Sequence, residues 1–184
     1  MCFRLLLSLL LLVSNGVVHA APPEPQGTVA VTKTGQLVVD VESGLVWSRC
    51  VEGLRWNGRA CIGTPRRVTQ AQALELAAAR RRADGLPWRV PRAIEVRRVL
   101  RRGLESPGGL ARLFPDTPEG WLWSASATIE TGLGGHPAHD GSNSGPEERL
   151  DGLHAWVIDG HTGQARSDMS RDTLLPVRLV HARD

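Results

Sequence analysis

The chain has 184 residues, 41% of them hydrophobic, which suffices for one domain with a buried core. Its only long apolar run lies at the N-terminus, so a protein with several membrane spans is excluded. The formal net charge is +3, and Lys33 is the only lysine, so the basic residues are nearly all arginines.

Residues 1–20 are predicted to form a signal peptide. Arg4 precedes the apolar run, and a small residue, Ala20, suits cleavage before Ala21. The run is too short to span a bilayer of about 30 Å as a helix, which disfavours an uncleaved anchor. We therefore expect a protein exported to the periplasm or secreted, with residues 21–27 as a Pro-rich spacer.

The next part of the chain predicts a hairpin and a helix. The segment "QLVVDVESGLVWSR", residues 36–49, joins two apolar runs through a turn that contains Gly44. A helical spacing of small apolar residues then predicts a helix after Thr69, which can form a capping box with Gln72. Gly85 is expected to end this helix.

A second helix is predicted from Ala93 to Arg102, where Gly103 is expected to stop it. Its apolar and basic residues recur at the helical period on different faces. The residues predicted to be buried are Ile94, Val96, Val99 and Leu100. The residues predicted to face solvent are Arg97, Arg98, Arg101 and Arg102.

The second half of the chain predicts loops and strands. Residues 105–120 are expected to form a loop with a short apolar anchor, and residues 121–126 a half-buried strand. A long polar loop is expected from Gly132 to Gly152, with further strands near 154–159 and 174–181. The predicted fold class is α+β, with two helices packed on small antiparallel sheets, long loops and one disulfide.

Cys50 and Cys61 are the only cysteines outside the predicted signal peptide. A zinc site would need four ligands in close pairs, and a redox motif would have two intervening residues instead of ten. Two cysteines in an exported chain are expected to pair, and closing this loop is worth roughly 2–3 kcal/mol. We therefore predict a structural disulfide.

The segment from Arg80 to Arg102 holds nine arginines and two acidic residues, Asp84 and Glu95. Such a local field attracts polyanions, and guanidinium groups pair bidentately with sulfate or carboxylate. The alternative is a solvated surface without a ligand, because many charged runs have no partner. The candidate ligand-binding residues are Arg97, Arg98, Arg101 and Arg102, with Arg80, Arg81 and Arg82 as a second group.

Trp56 is a further candidate, because it lies in the polar loop between the two cysteines. An exposed tryptophan can stack on a sugar ring, and the alternative is that its side chain covers the disulfide. The other tryptophans lie beside apolar residues and are expected to pack in the core. These are Trp47, Trp88, Trp121, Trp123 and Trp156.

Metal binding and catalysis have weaker signals. His136, His139 and Asp140 could bind zinc, and the oxygen-rich "DGSNSGPEE" could bind calcium, but neither has a preset ligand geometry. The chain lacks a nucleophile elbow and a phosphate-binding glycine motif. We expect no metal, no cofactor and no enzymatic activity.

Six blocks in order resemble the Lcl C-terminal domain family. They are "SGLVW", "RCVEGLRWNGRACIGTP", "WRVPRAIEV", "WLWSAS", "AWVID" and "PVRLV". The resemblance implies that residues 28–184 form one exported bacterial domain. The "WRVP" block with its following Glu95 also resembles the C-type lectin-like and formylglycine-generating folds, which implies a C-type lectin-like architecture. Arg92 stands where the family commonly has a helix-capping threonine, so capping is expected to come from elsewhere.

The resemblance also implies a function in the cell envelope. The namesake domain is an adhesin module that binds sulfated glycans and assembles as a trimer, so a homo-oligomer is one expectation. We expect a non-catalytic binding module for an anionic glycan, with no nucleic-acid partner and no membrane span. A structural protein that binds an envelope protein is the alternative, and an enzyme of the formylglycine-generating type is disfavoured because no cysteine follows Cys61.

Overall fold

A computed structural model describes residues 29–127 and 154–183 of the chain. The predicted signal peptide, the Pro-rich spacer and the Gly132–Gly152 loop lie outside the described residues. The strands are β1 (Val29–Val31), β2 (Leu37–Asp40), β3 (Leu45–Ser48), β4 (Leu54–Trp56), β5 (Cys61–Gly63), β6 (Trp121–Ala127), β7 (His154–Asp159), β8 (Ala165–Ser170) and β9 (Val180–Ala182). The helices are α1 (Gln70–Asp84), α2 (Ala93–Glu105) and α3 (Gly109–Leu113).

Four strands form an antiparallel sheet in the order β1-β2-β3-β9. The predicted hairpin is confirmed as β2 and β3, with Val38 opposite Trp47. Gly44 in the connecting turn has a φ of 65°, a conformation that favours glycine. This sheet packs on α2, and the shared core includes Val38, Trp47 and Val99, each at most 1% exposed.

A second sheet contains the antiparallel strands β6, β7 and β8. The predictions of β6 and β7 are confirmed, but β8 was not predicted because its polar sequence has no apolar alternation. Half of its residues are exposed in a regular alternation, as in an edge strand. Trp123 of β6 packs with α1 and Trp88 in a second core cluster, and its indole Nε1 donates to the carbonyl of Val68 at 2.7 Å.

Strands β4 and β5 form a small hairpin, with Cys61 in β5 and Cys50 in the segment before β4. The predicted disulfide between Cys50 and Cys61 is confirmed. Trp56 lies opposite Cys61 in the strand register. At the tip, the side-chain oxygen of Asn57 accepts hydrogen bonds from two backbone N–H groups, which stabilises the turn.

Helix α1 confirms its predicted boundaries. Thr69 and Gln72 form the reciprocal capping box, with distances of 3.0 and 3.3 Å. Gly85 ends the helix in the left-handed conformation, with a φ of 76°.

Helix α2 extends beyond its predicted end at Arg102. Gly103, which was predicted to stop the helix, lies inside it and is buried. A Cβ at Gly103 would lie 2.5 Å from Cδ2 of Leu110, so the glycine allows α3 to pack closely against α2. Helix α3 itself lies in the segment predicted as a loop, and its buried residue is Leu113. The prediction that Ile94 is buried was also wrong, since this side chain is 48% exposed.

The C-terminal segment differs from the predicted strand over residues 174–181. Only its end belongs to a strand, β9, while the preceding residues run extended between several elements. Leu175 forms an isolated bridge with Val68, the carbonyl of Pro176 accepts from Trp123, and the carbonyl of Val177 accepts from Glu52. Proline has no backbone N–H to donate, which prevents a continuous ladder here.

Candidate functional site

Three of the four predicted arginines of α2 project into solvent. Arg97, Arg98 and Arg101 are exposed, and within the described residues their guanidinium groups have no ion pair or hydrogen bond. An exposed guanidinium without a partner retains its full capacity for an external anion. These three side chains are the basic residues of the candidate site.

Arg102 does not share this position, and the prediction that it faces solvent was wrong. Its side chain is 10% exposed and pairs with Asp40, at 2.6 and 2.8 Å, and with Glu42. Asp40 is 1% exposed, and a buried carboxylate requires a charged partner. Arg102 therefore ties α2 to β2 and is not free for a ligand.

The second predicted group, on the last turns of α1, is divided in the same way. Arg80 pairs with Glu52 at 2.8 Å, and its guanidinium lies 4.1 Å from the centroid of the Trp88 ring. Arg81 and Arg82 are exposed at the end of the helix. The structure thus places the α1 arginines and the α2 arginines on different elements, and neither group is wholly free.

The exposed α2 arginines line an open groove of about 490 Å³, hereafter the α2 groove. Its two apolar residues, Ile94 and Leu104, are 48% and 59% exposed. Its full lining is Ile94, Arg97, Arg98, Arg101, Leu104, Thr162 and Gly163. The spacing of the helical members places them on one face of α2, so basic groups lie between two apolar ends.

The opposite wall of the α2 groove is the turn between β7 and β8. Asp159 Oδ1 accepts hydrogen bonds from the backbone of His161 at 3.0 Å and from the backbone and hydroxyl of Thr162 at 2.8 and 2.9 Å. Burial raises the pKa of Asp159, but these hydrogen bonds outweigh it and hold the pKa below its usual value. Gly163 completes the turn with a φ of 71°. The wall is therefore fixed by local hydrogen bonds.

Acidic groups also lie near the α2 groove, among them Asp159 of the turn wall, whose Oδ1 accepts the hydrogen bonds given above. Glu105 is exposed one turn beyond Arg101 and follows the groove at the end of the helix. Glu95 lies at the first turn, but both its oxygens accept from the Arg89 guanidinium at 2.8 Å. In the described part of the chain, three arginines and no carboxylate line the groove, so this lining is positively charged.

The first turn of α2 is capped by residues other than Arg92, as expected. The Glu95 carboxylate accepts from the backbone N–H of Arg92 at 2.7 Å, and the hydroxyl of Ser126 accepts from the backbone N–H of Ala93 at 3.0 Å. Burial raises the pKa of Glu95, but the hydrogen bonds from Arg89 and Arg92 outweigh it and lower the pKa. Glu95 therefore holds the start of the helix that carries the groove.

We expect Glu95→Gln to lower the free energy of unfolding by about 1 kcal/mol near neutral pH, because it removes an ion pair that is only partly buried. The native pKa of Glu95 lies below the usual value of 4.5, so its ionised form stabilises the fold above that value. This contribution is lost as the pH falls through the native pKa. Urea denaturation of both proteins over a pH series should show the gap closing in acid. A gap that persists unchanged would contradict this role.

Trp56 neither simply covers the disulfide nor stands fully exposed. Its side chain is half-buried, and the guanidinium of Arg49 lies 3.8 Å from its ring centroid. The ring lines a separate groove between the β4–β5 hairpin and α1. Of the other tryptophans, Trp47, Trp88 and Trp123 are fully buried as predicted, whereas two are only half-buried.

Sequence reasoning missed the apolar and turn residues of the α2 groove. Ile94 was assigned to the core, although its spacing from Arg98 and Arg101 follows the exposed helical face. The sequence did not indicate that Thr162 and Gly163 form a wall of the groove, because they lie 58 and 59 positions after Leu104 in the chain.

Within residues 29–127 and 154–183, no group of three or more histidine, cysteine or acidic side chains is placed to hold a metal ion. The candidate zinc and calcium ligands between His136 and Glu148 lie outside the described residues. No helix of the described part is long and apolar enough to cross a membrane.

The fold and the site define a small α+β domain with a disulfide-linked hairpin and an open basic groove on one helix. The model of the Lcl C-terminal domain family matches residues 36–181, and the chain belongs to this family. The resemblance in the six sequence blocks is therefore confirmed. No curated protein matches the chain in sequence.

Proposed function

We propose that the protein is an exported, non-catalytic binding module of the bacterial cell envelope that recognises an anionic glycan. The observation that supports this most is the α2 groove, where three exposed arginines have no intramolecular partner among the described residues. Guanidinium forks match the geometry of sulfate and carboxylate groups. The groove is open, which suits a chain that passes along the surface better than a small enclosed ligand.

The apolar ends of the α2 groove fit the same class of ligand. Sugar rings present C–H groups on their faces, and Ile94 and Leu104 offer apolar contact on either side of the arginines. A fully polar groove would lose more free energy to incomplete hydrogen bonding. The combination of guanidinium groups and flanking aliphatic side chains therefore favours a sulfated or carboxylated polysaccharide.

A protein partner is the second candidate function. Exposed apolar residues beside arginines also occur in protein interfaces, and Ile94 and Leu104 are the observation that favours it. An envelope protein with an acidic surface would be the expected partner, and self-assembly into a homo-oligomer belongs to the same proposal.

Export is part of the proposal. The disulfide suits an oxidising compartment, and the signal peptide predicted over residues 1–20 would direct the chain there. The C-type lectin-like architecture that the resemblance implies is proposed on the same basis, supported by the α+β element order and the small antiparallel sheets.

The function can be tested by affinity chromatography. We expect the purified protein to be retained on a heparin resin and to elute only at raised salt, because screening weakens exposed ion pairs. A plain cation exchanger of similar charge density is the control, since it offers charge without the glycan. Elution from both resins at the same low salt would contradict specific glycan recognition and favour the protein-partner alternative.

A further inference from the structure

A second groove lies between the β4–β5 hairpin and α1, hereafter the hairpin groove. Its volume is about 730 Å³, within the usual range for ligand sites. Leu76, Ala79 and Ala83 of α1 supply one apolar wall, and Trp56 lies on the hairpin side. It shares no lining residue with the α2 groove.

The Trp56 ring is held in a fixed position. The Arg49 guanidinium stacks at 3.8 Å from the ring centroid and is itself bound by three carbonyls. These are the carbonyls of Arg112 at 2.7 Å, Gly35 at 3.1 Å and Leu113 at 3.2 Å. A Cβ at Gly35 would lie 2.4 Å from Nε1 of Trp56, so the backbone packs directly against the edge of the ring. A ring fixed before binding loses little entropy when a ligand stacks on it.

Two arginines of the hairpin groove are free of side-chain partners in the described part of the chain. Arg55 and Arg66 are exposed, line the hairpin groove, and have no side-chain partner within the described residues. The acidic residue of the groove, Glu52, is already paired with Arg80 at 2.8 Å. The groove therefore has free positive charge beside a neutralised ion pair.

We propose that the hairpin groove is a second binding site for a pyranose ring that carries a carboxylate, the chemistry of a uronic acid. The C–H face of the sugar would stack on Trp56, and Arg55 and Arg66 would bind the carboxylate. The Glu52–Arg80 pair can hydrogen-bond to hydroxyl groups. The aromatic ring distinguishes this groove from the α2 groove, whose apolar residues are aliphatic.

The test uses titration calorimetry of the purified protein with a galacturonic acid trimer and with the neutral galactose trimer. We expect the acidic trimer to bind and the neutral one to bind at least tenfold more weakly, because it lacks the charge-assisted hydrogen bonds. Failure of the acidic trimer to bind, or equal affinity for both trimers, would overturn the proposal.

Substitutions of arginines inside and outside the hairpin groove test whether the acidic trimer binds there. The double substitution R55Q/R66Q should weaken binding of the acidic trimer by at least about tenfold. The matched control R59Q/R67Q removes two exposed arginines that do not line the groove and should leave the affinity unchanged. Equal losses in both double variants would show general charge attraction and overturn the site.

Trp56→Leu should weaken binding about tenfold through the loss of stacking, provided that its denaturation midpoint shows a folded protein. Because Arg55 and Arg66 are exposed, the arginine variants decide the outcome if Trp56→Leu unfolds. The proposal is independent of the α2 groove, and R97E/R98E/R101E should still bind the acidic trimer. Loss of trimer binding in that variant alone would place the ligand in the α2 groove and overturn the inference.

Discussion

Reversing the charge of Arg97, Arg98 and Arg101 to glutamate is expected to abolish retention on heparin at moderate salt. All three side chains are exposed and line the α2 groove. Each charge-assisted hydrogen bond contributes about 1.5–3 kcal/mol, so the triple variant should bind on the order of 100-fold more weakly or worse. Because the substituted positions point away from the core, the fold should remain intact, which circular dichroism can verify.

The control for this variant carries the same change in net charge at other exposed positions. Arg59, Arg67 and Arg183 are exposed and do not line the α2 groove. Their replacement by glutamate should reduce retention only slightly, through the long-range field. If both triple variants lose retention equally, the binding depends on net charge and the groove has no specific role.

Replacing the buried Arg178 by methionine is expected to destabilise the fold by roughly 3 kcal/mol or more. Arg178 is 5% exposed and donates hydrogen bonds to the carbonyls of Ser48 and Arg49 and to the hydroxyl of Thr117. Its guanidinium also lies 4.3 Å from the centroid of the Phe114 ring. Methionine would fill the space but would remove the hydrogen bonds that Arg178 donates to the buried carbonyls of Ser48 and Arg49.

Burial lowers the pKa of Arg178 to about 9, and no carboxylate of the described residues pairs with its guanidinium to offset the loss of hydration. Within the described residues, two carbonyls, a hydroxyl and the Phe114 ring contact the guanidinium, and removing it breaks contacts between separate segments of the chain. Urea denaturation near neutral pH measures the effect, with the exposed Arg183→Met as the matched control. A loss below about 1 kcal/mol would contradict the role assigned to Arg178.

The elements that sequence analysis predicted correctly have local signals. The capping box of Thr69 and Gln72 and the terminal Gly85 define α1 within a few residues of the chain. The turn glycine Gly44 defines the β2–β3 hairpin in the same way. The pairing of Cys50 with Cys61 was predicted because the chain is expected to be exported to an oxidising compartment and has two cysteines outside the signal peptide. Neither argument needs knowledge of the fold.

The features that the sequence could not predict depend on distant residues. Arg102 and Arg101 have similar sequence surroundings, but only Arg102 meets Asp40, which lies 62 residues earlier. Gly103 was predicted to end α2 because glycine is common after the last turn of a helix. It lies inside α2 instead, where the lack of a side chain allows Leu110 to pack closely against it. Strand β8 is polar and forms because β7 offers it a free edge.

The candidate site shows the same division. The basic side of the α2 groove was predictable from composition, because a high density of arginine on one helical face is a local property. Its apolar ends and its turn wall were not, since the exposure of Ile94 and the position of Thr162 depend on how β7 and the turn after it pack against α2. The hairpin groove likewise requires the position of α1 relative to Trp56.

The most direct test of the proposed function is titration calorimetry of the wild-type protein with a heparin-derived oligosaccharide and with a neutral counterpart that has been both desulfated and carboxyl-reduced. The α2 groove predicts binding of the anionic form at low salt, an affinity that falls as salt rises, and much weaker binding of the neutral form. Absence of binding by the anionic form at low salt, or equal affinity for both forms, would contradict recognition of an anionic glycan.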